Sequence, residues 1–195
     1  GQALIIDPGG PARTLVGRLK KESLEPVCLA NTHGHTDADF NLPMFRQTFD
    51  IPNALHREDA DFFTDPGVRE QTFRQVSLPP PWPADNRLKH GDKLLFGACE
   101  ALVIHTPGHT PGSVCYLCQG HLFSGDTLFV GEAGRTDLPG GDLDTMIRSI
   151  EHRILSLNPG TVIHPGHHHR GNPVQTTLDA EIRDNIHITD FILDR

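Results

Sequence analysis

With 195 residues, 36% of them apolar and 22% charged, the chain has the make-up of one soluble globular domain, which excludes intrinsic disorder. No apolar run approaches the roughly 18 residues that a membrane helix requires. Seventeen basic against 25 acidic side chains leave a net charge of -8 and no basic face for a phosphate backbone, so neither nucleic acid nor membrane is an expected partner.

In chain order, Ala3–Ile6 is predicted to be a strand that ends at the turn Asp7-Pro8-Gly9-Gly10. A helix follows from near Pro11, with Leu15, Val16, Leu19 and Leu24 at roughly helical spacing. Val27–Ala30 reads as a strand, 38–49 as a helix despite Pro43, and Arg57–Phe63 as a short helix. Leu78–Pro83, with its four prolines, fits neither a helix nor a central strand and is expected to be an extended connection. From Leu94 onward four short strand-like runs follow: LLF, CEALVIH, SVCYLC and HLFSGD. The loop GEAGRTDLPGGD leads into a helix over 142–157, whose face carries Leu143, Met146, Ile147, Ile150, Ile154 and Leu157. TVIHPGH is a last strand and loop, and 178–194 reads as mostly helical, with Thr176 and Thr177 as candidate caps. Strands mixed with flanking helices give an α/β class of layered sheets.

Four cysteines are present, and Cys115 and Cys118 have the C-x-x-C spacing. Their setting is the strand run VCYLC, where residues three apart point to opposite faces, so all four are read as core thiols. With no signal peptide visible, a reducing cytoplasm is the expected location.

The 13 histidines are the unusual count, and they concentrate: His33 with His35, His105 with His109, and His167 with His168 and His169. Ligand-type residues follow the strands in turn: His33, His35 and Asp37 after Val27–Ala30, His109 after CEALVIH, Asp126 in HLFSGD, and His167 in the last loop. Loops at rigid strand ends can converge on one point, which suits a metal ion. Imidazole suits zinc and iron, and the added carboxylates widen the choice to manganese. His56, His90, His121, His152 and His187 are scattered singly and carry no such expectation. Arg135 and Asp137 are read as holding their long loop together. No nucleophile elbow or P-loop is present, so serine-hydrolase and nucleotide-binding chemistry lack support.

THGHTD, TPGHTPGS, FSGDTLF, GRTDLPGGD and PGH together resemble the metallo-β-lactamase superfamily, most nearly the single-domain relatives of glyoxalase II (hydroxyacylglutathione hydrolase). The resemblance runs from about Ala3 to about Asn185 and takes residues 1–195 as a single domain. It implies an αββα sandwich with the metal site at one edge of the two sheets. It also implies a pair of strands ahead of Ala3, so N-terminal strands are expected to be missing from a chain that opens on Gly1-Gln2. A first metal would be held by residues matching His33, His35 and His109. Asp126 would bridge to a second, held also by Asp37, His167 and a histidine directly after Asp37. That last position is Ala38, with Phe40 and Asn41 departing from the family pattern beside it. Asp39 and His168 are the candidate replacements. One firmly bound metal, most readily zinc, and an impaired second site are therefore expected.

The activity implied is hydrolysis of a thioester such as a hydroxyacylglutathione by hydroxide generated at the metal, with Asp126, Asp37 and His167 as the working residues and a small, glutathione-linked molecule as partner. With few residues following His167, the C-terminal helical domain of glyoxalase II is expected to be lacking. Two alternatives stand beside it. PGHHHRG and GRTD are similar to persulfide dioxygenases, which would use one iron on His33, His109 and Asp126; the missing ligand at Ala38 also fits a degenerate, non-catalytic metal-binding member.

Overall fold

A computed structural model describes residues 1–9, 11–35, 42–76, 83–168 and 171–193. Asp37, Ala38, Asp39, His169 and most of the proline-rich segment therefore lie outside the described residues.

The first sheet is parallel, in the order β1 (Gln2–Ile6), β2 (Glu25–Ala30), β3 (Asn53–His56), β4 (Asn86–Leu88). Between its strands run α1 (Ala12–Lys21), α2 (Leu42–Phe49), α3 (Arg57–Phe62) and α4 (Pro66–Val76). The second sheet has the strands β5 (Lys93–Phe96), β6 (Cys99–His105), β7 (Val114–Cys118), β8 (His121–Gly125), β9 (Val162–Pro165) and β10 (Thr176–Thr177), in reverse numerical order across the sheet. All its neighbours are antiparallel except β8 and β9. Helices α5 (Leu143–Ser149), α6 (Leu178–Asp184) and α7 (Ile186–Ile188) complete the list, with wide π-helical turns at Ile150–Ile154 and Thr189–Leu193.

The period-two pattern of the strands sorts the core into layers. Along β7, Val114 and Tyr116 join a cluster with Cys28 and Ala30 of the first sheet, so this face lies between the sheets. Cys115 faces the other way, among Met146, Ile150, Ile154, Leu178 and Ile188. On the first sheet, Ile5 and Leu29 face outward to Ala12 and Leu19 of α1 and Phe45 of α2. The order helix, sheet, sheet, helix is the expected αββα sandwich. All four cysteines are free thiols, with Cys115 and Cys118 on opposite faces of their strand as read.

Several expectations needed adjustment. Leu24 lies beyond α1, in the turn before β2, although it packs in the same cluster as Leu19. The helix over 142–157 is α5 followed by a π-helical turn, and Leu143 is exposed. The 178–194 segment is broken at Asn185, whose extended backbone separates α6 from α7. Thr177, the last residue of β10, does cap α6, accepting from the Ala180 N–H at 3.3 Å, whereas the Thr176 hydroxyl donates to the Thr177 carbonyl. β3, β4 and α4 were not predicted: β3 is only NALH and buried throughout, so no alternation marks it, and α4 has few apolar residues. Among the described residues no helix is long and apolar enough to cross a membrane.

Candidate metal centre

The C-terminal ends of β1, β2, β6, β8 and β9 meet at one edge of the sandwich, and those predicted ligands that fall among the described residues stand there. His33 and His35 follow β2, His109 follows β6, Asp126 follows β8 and His167 follows β9. His33, His35 and His109 are 2%, 4% and 2% exposed, and one ring nitrogen from each lies within 4.8 Å of the others. Their rings stand edge to face, with centroids 4.7–5.0 Å apart.

Hydrogen bonds fix which nitrogen each ring presents. The Thr32 hydroxyl donates to Asp7 Oδ2 at 2.7 Å, and the Thr32 N–H donates to Asp7 Oδ1 at 2.8 Å. Having spent its proton, Thr32 Oγ1 accepts from His33 Nδ1 at 3.0 Å, which leaves the lone pair of His33 on Nε2. His109 Nδ1 donates to the Arg135 carbonyl at 2.7 Å, so its lone pair is also on Nε2. That nitrogen accepts from His35 Nδ1 at 2.9 Å. Outer partners that set the tautomer and tilt of an imidazole are the ordinary support of a metal ligand.

Asp126 spans the centre. Oδ2 is 3.6 Å from His109 Nε2, and Oδ1 accepts from His167 Nδ1 at 2.8 Å. Burial pushes its carboxyl up, but the His167 hydrogen bond and the imidazoles of His33 and His109 outweigh this and hold it below its ordinary value. The carboxylate is thus kept ionised with one oxygen toward each group. Glycine makes the approach possible: a Cβ at Gly166 would lie 2.6 Å from Asp126 Oδ1, and one at Gly125 (φ +51°) only 2.3 Å from Thr32 Oγ1.

His168 Nε2 donates to the Asn172 carbonyl at 2.6 Å, so that nitrogen of the candidate replacement ligand is already engaged. Arg135 and Asp137 form the expected loop clasp, with both contacts at 2.7 Å; the backbone of Arg135, rather than its side chain, reaches the centre. Sequence reading missed Asp7, Thr32 and the Arg135 carbonyl. Only the first left a trace, as an acid at the end of a predicted strand.

A second cluster, His56, Glu58 and His105, has ligand atoms equally close together. One nitrogen of each ring is otherwise engaged. His105 Nε2 donates to the Pro111 carbonyl at 2.9 Å, and His56 Nδ1 accepts from the Glu58 N–H at the start of α3. The two rings stack at 4.0 Å, and burial, together with His105 and Arg57, lowers the His56 pKa to about 4. This cluster fastens α3 and the loop after β6.

The centre fits a divalent metal by its donor chemistry: three buried imidazoles, two with tautomers set by outer partners, beside an ionised carboxylate. Comparison with known proteins agrees. The family model for the metallo-beta-lactamase superfamily matches residues 1–169. The hydroxyacylglutathione hydrolase GloC of Haemophilus influenzae is 34% identical, over 94% of this chain and 85% of its own. Among solved structures, the BLEG-1 B3 metallo-beta-lactamase superposes with a TM-score of 0.85 at 39% identity, covering 96% of this chain and 89% of its own. TTHA1623 in a di-iron-bound form does so with a TM-score of 0.76 at 36% identity, covering 92% and 86%. With the layered fold, the histidine centre and these likenesses together, the chain belongs to the metallo-β-lactamase superfamily and is a metallo-hydrolase of that family.

Proposed function

We propose that this metallo-hydrolase cleaves a thioester of the hydroxyacylglutathione kind. The observation that carries the reading is the convergence of His33, His35 and His109 on one point beside an ionised Asp126. The similarity to GloC, along nearly the whole chain, supports a glutathione-linked acyl group.

In this reading His33, His35 and His109 hold the firmly bound metal, with Asp126 at its edge. Asp37, Asp126 and His167 line a second position weakened by Ala38. Zinc suits the donor set; the di-iron form of TTHA1623 keeps iron as the competing metal. A bound divalent ion supplies a nucleophile at neutral pH by lowering the pKa of water to about 7, and it polarises the acyl carbonyl. The chain's own groups do the rest. Asp126, ionised, accepts a hydrogen bond from the attacking group and orients it. His167 Nδ1 donates to Asp126 Oδ1 at 2.8 Å and its ring is half-exposed; in this reading it gives up a proton to the departing sulfur.

The test is hydrolysis of lactoylglutathione by metal-loaded protein and by Asp126→Ala. Turnover by the parent and its loss by at least 100-fold in the variant are expected, the usual scale for losing an electrostatic group of this kind. Oxygen uptake on glutathione persulfide without thioester hydrolysis would assign the site to dioxygenase chemistry instead. Tight metal binding without either reaction would leave a binding protein.

A further inference from the structure

We propose that Asp59 is a positioning residue of the metal centre, its buried carboxylate tying the loop of His33 and His35 to the loop of His109 and so fixing the spacing of the three imidazoles. The inference rests on reading those histidines as metal ligands. Asp59 lies on α3, just past the end of β3, and is 0% exposed. Its Oδ2 accepts from the N–H of Gly34, between His33 and His35, at 2.7 Å. The same oxygen accepts from the hydroxyl of Thr110, next to His109, at 2.7 Å. Oδ1 accepts from the Gly112 N–H at 2.5 Å. One carboxylate therefore touches both ligand loops, and one of its oxygens touches both by itself.

The packing around it leaves no slack. A Cβ at Gly112 would lie 2.4 Å from the Asp59 nitrogen, and one at Gly34 would meet the Phe63 ring at 2.3 Å. Thr110 is further held by Ser113 Oγ at 2.7 Å, so a shift of Asp59 is passed directly to the turn that carries His109. Three donors converge on this side chain, and only a carboxylate offers acceptors to all of them. An asparagine would accept at one oxygen and turn its own N–H toward either the Gly112 N–H or the Gly34 and Thr110 donors.

A structural tie and a positioning tie differ in what they move. In the metal-free protein, Asp59→Asn exchanges the cost of a buried charge for one broken hydrogen bond, and its unfolding midpoint is expected within a few degrees of the parent's. Affinity for Co2+, measured by competition with a chelator, is expected to fall about 10–100-fold, the scale for losing an outer partner of a metal ligand. The visible absorption bands of the bound Co2+ are expected to shift as the three imidazoles respace. Unchanged affinity and unchanged bands would overturn the proposal, whatever happens to stability. Should Asp59→Asn fail to fold, Thr110→Val removes one of the same bonds without touching a charge; a loss of Co2+ affinity of several-fold is expected, and no loss overturns the proposal. A parent protein that takes up no Co2+ would sink the metal reading itself, which is a different result from a variant that binds as the parent does.

Discussion

Thr32→Val tests whether the tautomer of His33 is set from outside the centre. Valine keeps the shape of threonine and removes only the hydroxyl. In the fold that hydroxyl is 2.7 Å from Asp7 Oδ2 and 3.0 Å from His33 Nδ1, in a side chain 1% exposed. Two losses follow. The charge-assisted bond to Asp7 is worth roughly 1.5–3 kcal/mol, and burying the His33 N–H without that acceptor costs roughly 1–3 kcal/mol more. Losses of about 2.5–6 kcal/mol, at about 2–4 °C per kcal/mol for a chain of this size, lower the unfolding midpoint by roughly 5–24 °C. Released from Thr32, His33 is free to carry its proton on Nε2, the nitrogen that faces the centre, and metal affinity is expected to fall about 10–100-fold. Thr32→Ser is the control. It keeps the hydroxyl and gives up one buried methyl, worth about 1 kcal/mol, so it loses some stability but little metal affinity. The assays are thermal unfolding of the metal-free proteins and chelator competition for zinc. A valine variant that binds zinc within twofold of the parent, or a serine variant that loses as much affinity as valine, would refute the role given to the Asp7–Thr32–His33 chain.

Two further outcomes concern Asp59 and Ala38. Burial raises the Asp59 carboxyl from 3.8 to about 6, against the pull of its Thr110, Gly112 and Gly34 hydrogen bonds. The folded state then holds a proton that the unfolded state has released, so between about pH 4 and 6 the metal-free protein loses stability as pH rises. The raised value corresponds to about 3 kcal/mol across the window. Denaturant unfolding should show this slope in the parent and a flatter one in Asp59→Asn; equal slopes would contradict it. Ala38→His should raise bound zinc from about one toward two per chain, measured by elemental analysis after the same dialysis of both proteins. Two zinc ions in the parent would show that other groups fill the position.

The layers of the fold were legible where apolar runs were bounded by turn residues. β6 and β7 stand out as nearly unbroken apolar runs because each packs on two cores, one between the sheets and one under α5. β3 escaped notice for the opposite reason: all four of its residues are buried, two of them polar, so neither alternation nor an apolar run marks it. The extent of α5 was overread because the apolar face of 142–157 continues past the point where the backbone widens into a π-helical turn. At the metal centre, His33, His35, His109, Asp126 and His167 were visible because ligands are scarce residue types at strand ends. Their supports were not. Thr32 and Asp59 are ordinary in a sequence, and the Arg135 carbonyl is backbone, so only three-dimensional contact reveals what they hold.

Those supports share a pattern that explains why the centre sits where it does. β2, which leads to His33 and His35, lies between β1 and β3 in a parallel sheet. Asp7 stands at the end of β1 and Asp59 just beyond the end of β3. The two carboxylates therefore grip the ligand loop from its two flanks, one through Thr32 and the other through Gly34. A loop with three donors facing carboxylates on both sides has little freedom to swing, even though loops are usually the mobile part of a fold. Asp59 then extends the grip across to the second sheet through Thr110 and Gly112. The two sheets are joined at this edge by polar ties, above the apolar layer of Cys28, Ala30, Val114 and Tyr116. An acidic protein thus spends two of its buried or half-buried carboxylates outside the set of predicted ligands, where they hold imidazoles in place rather than bind metal.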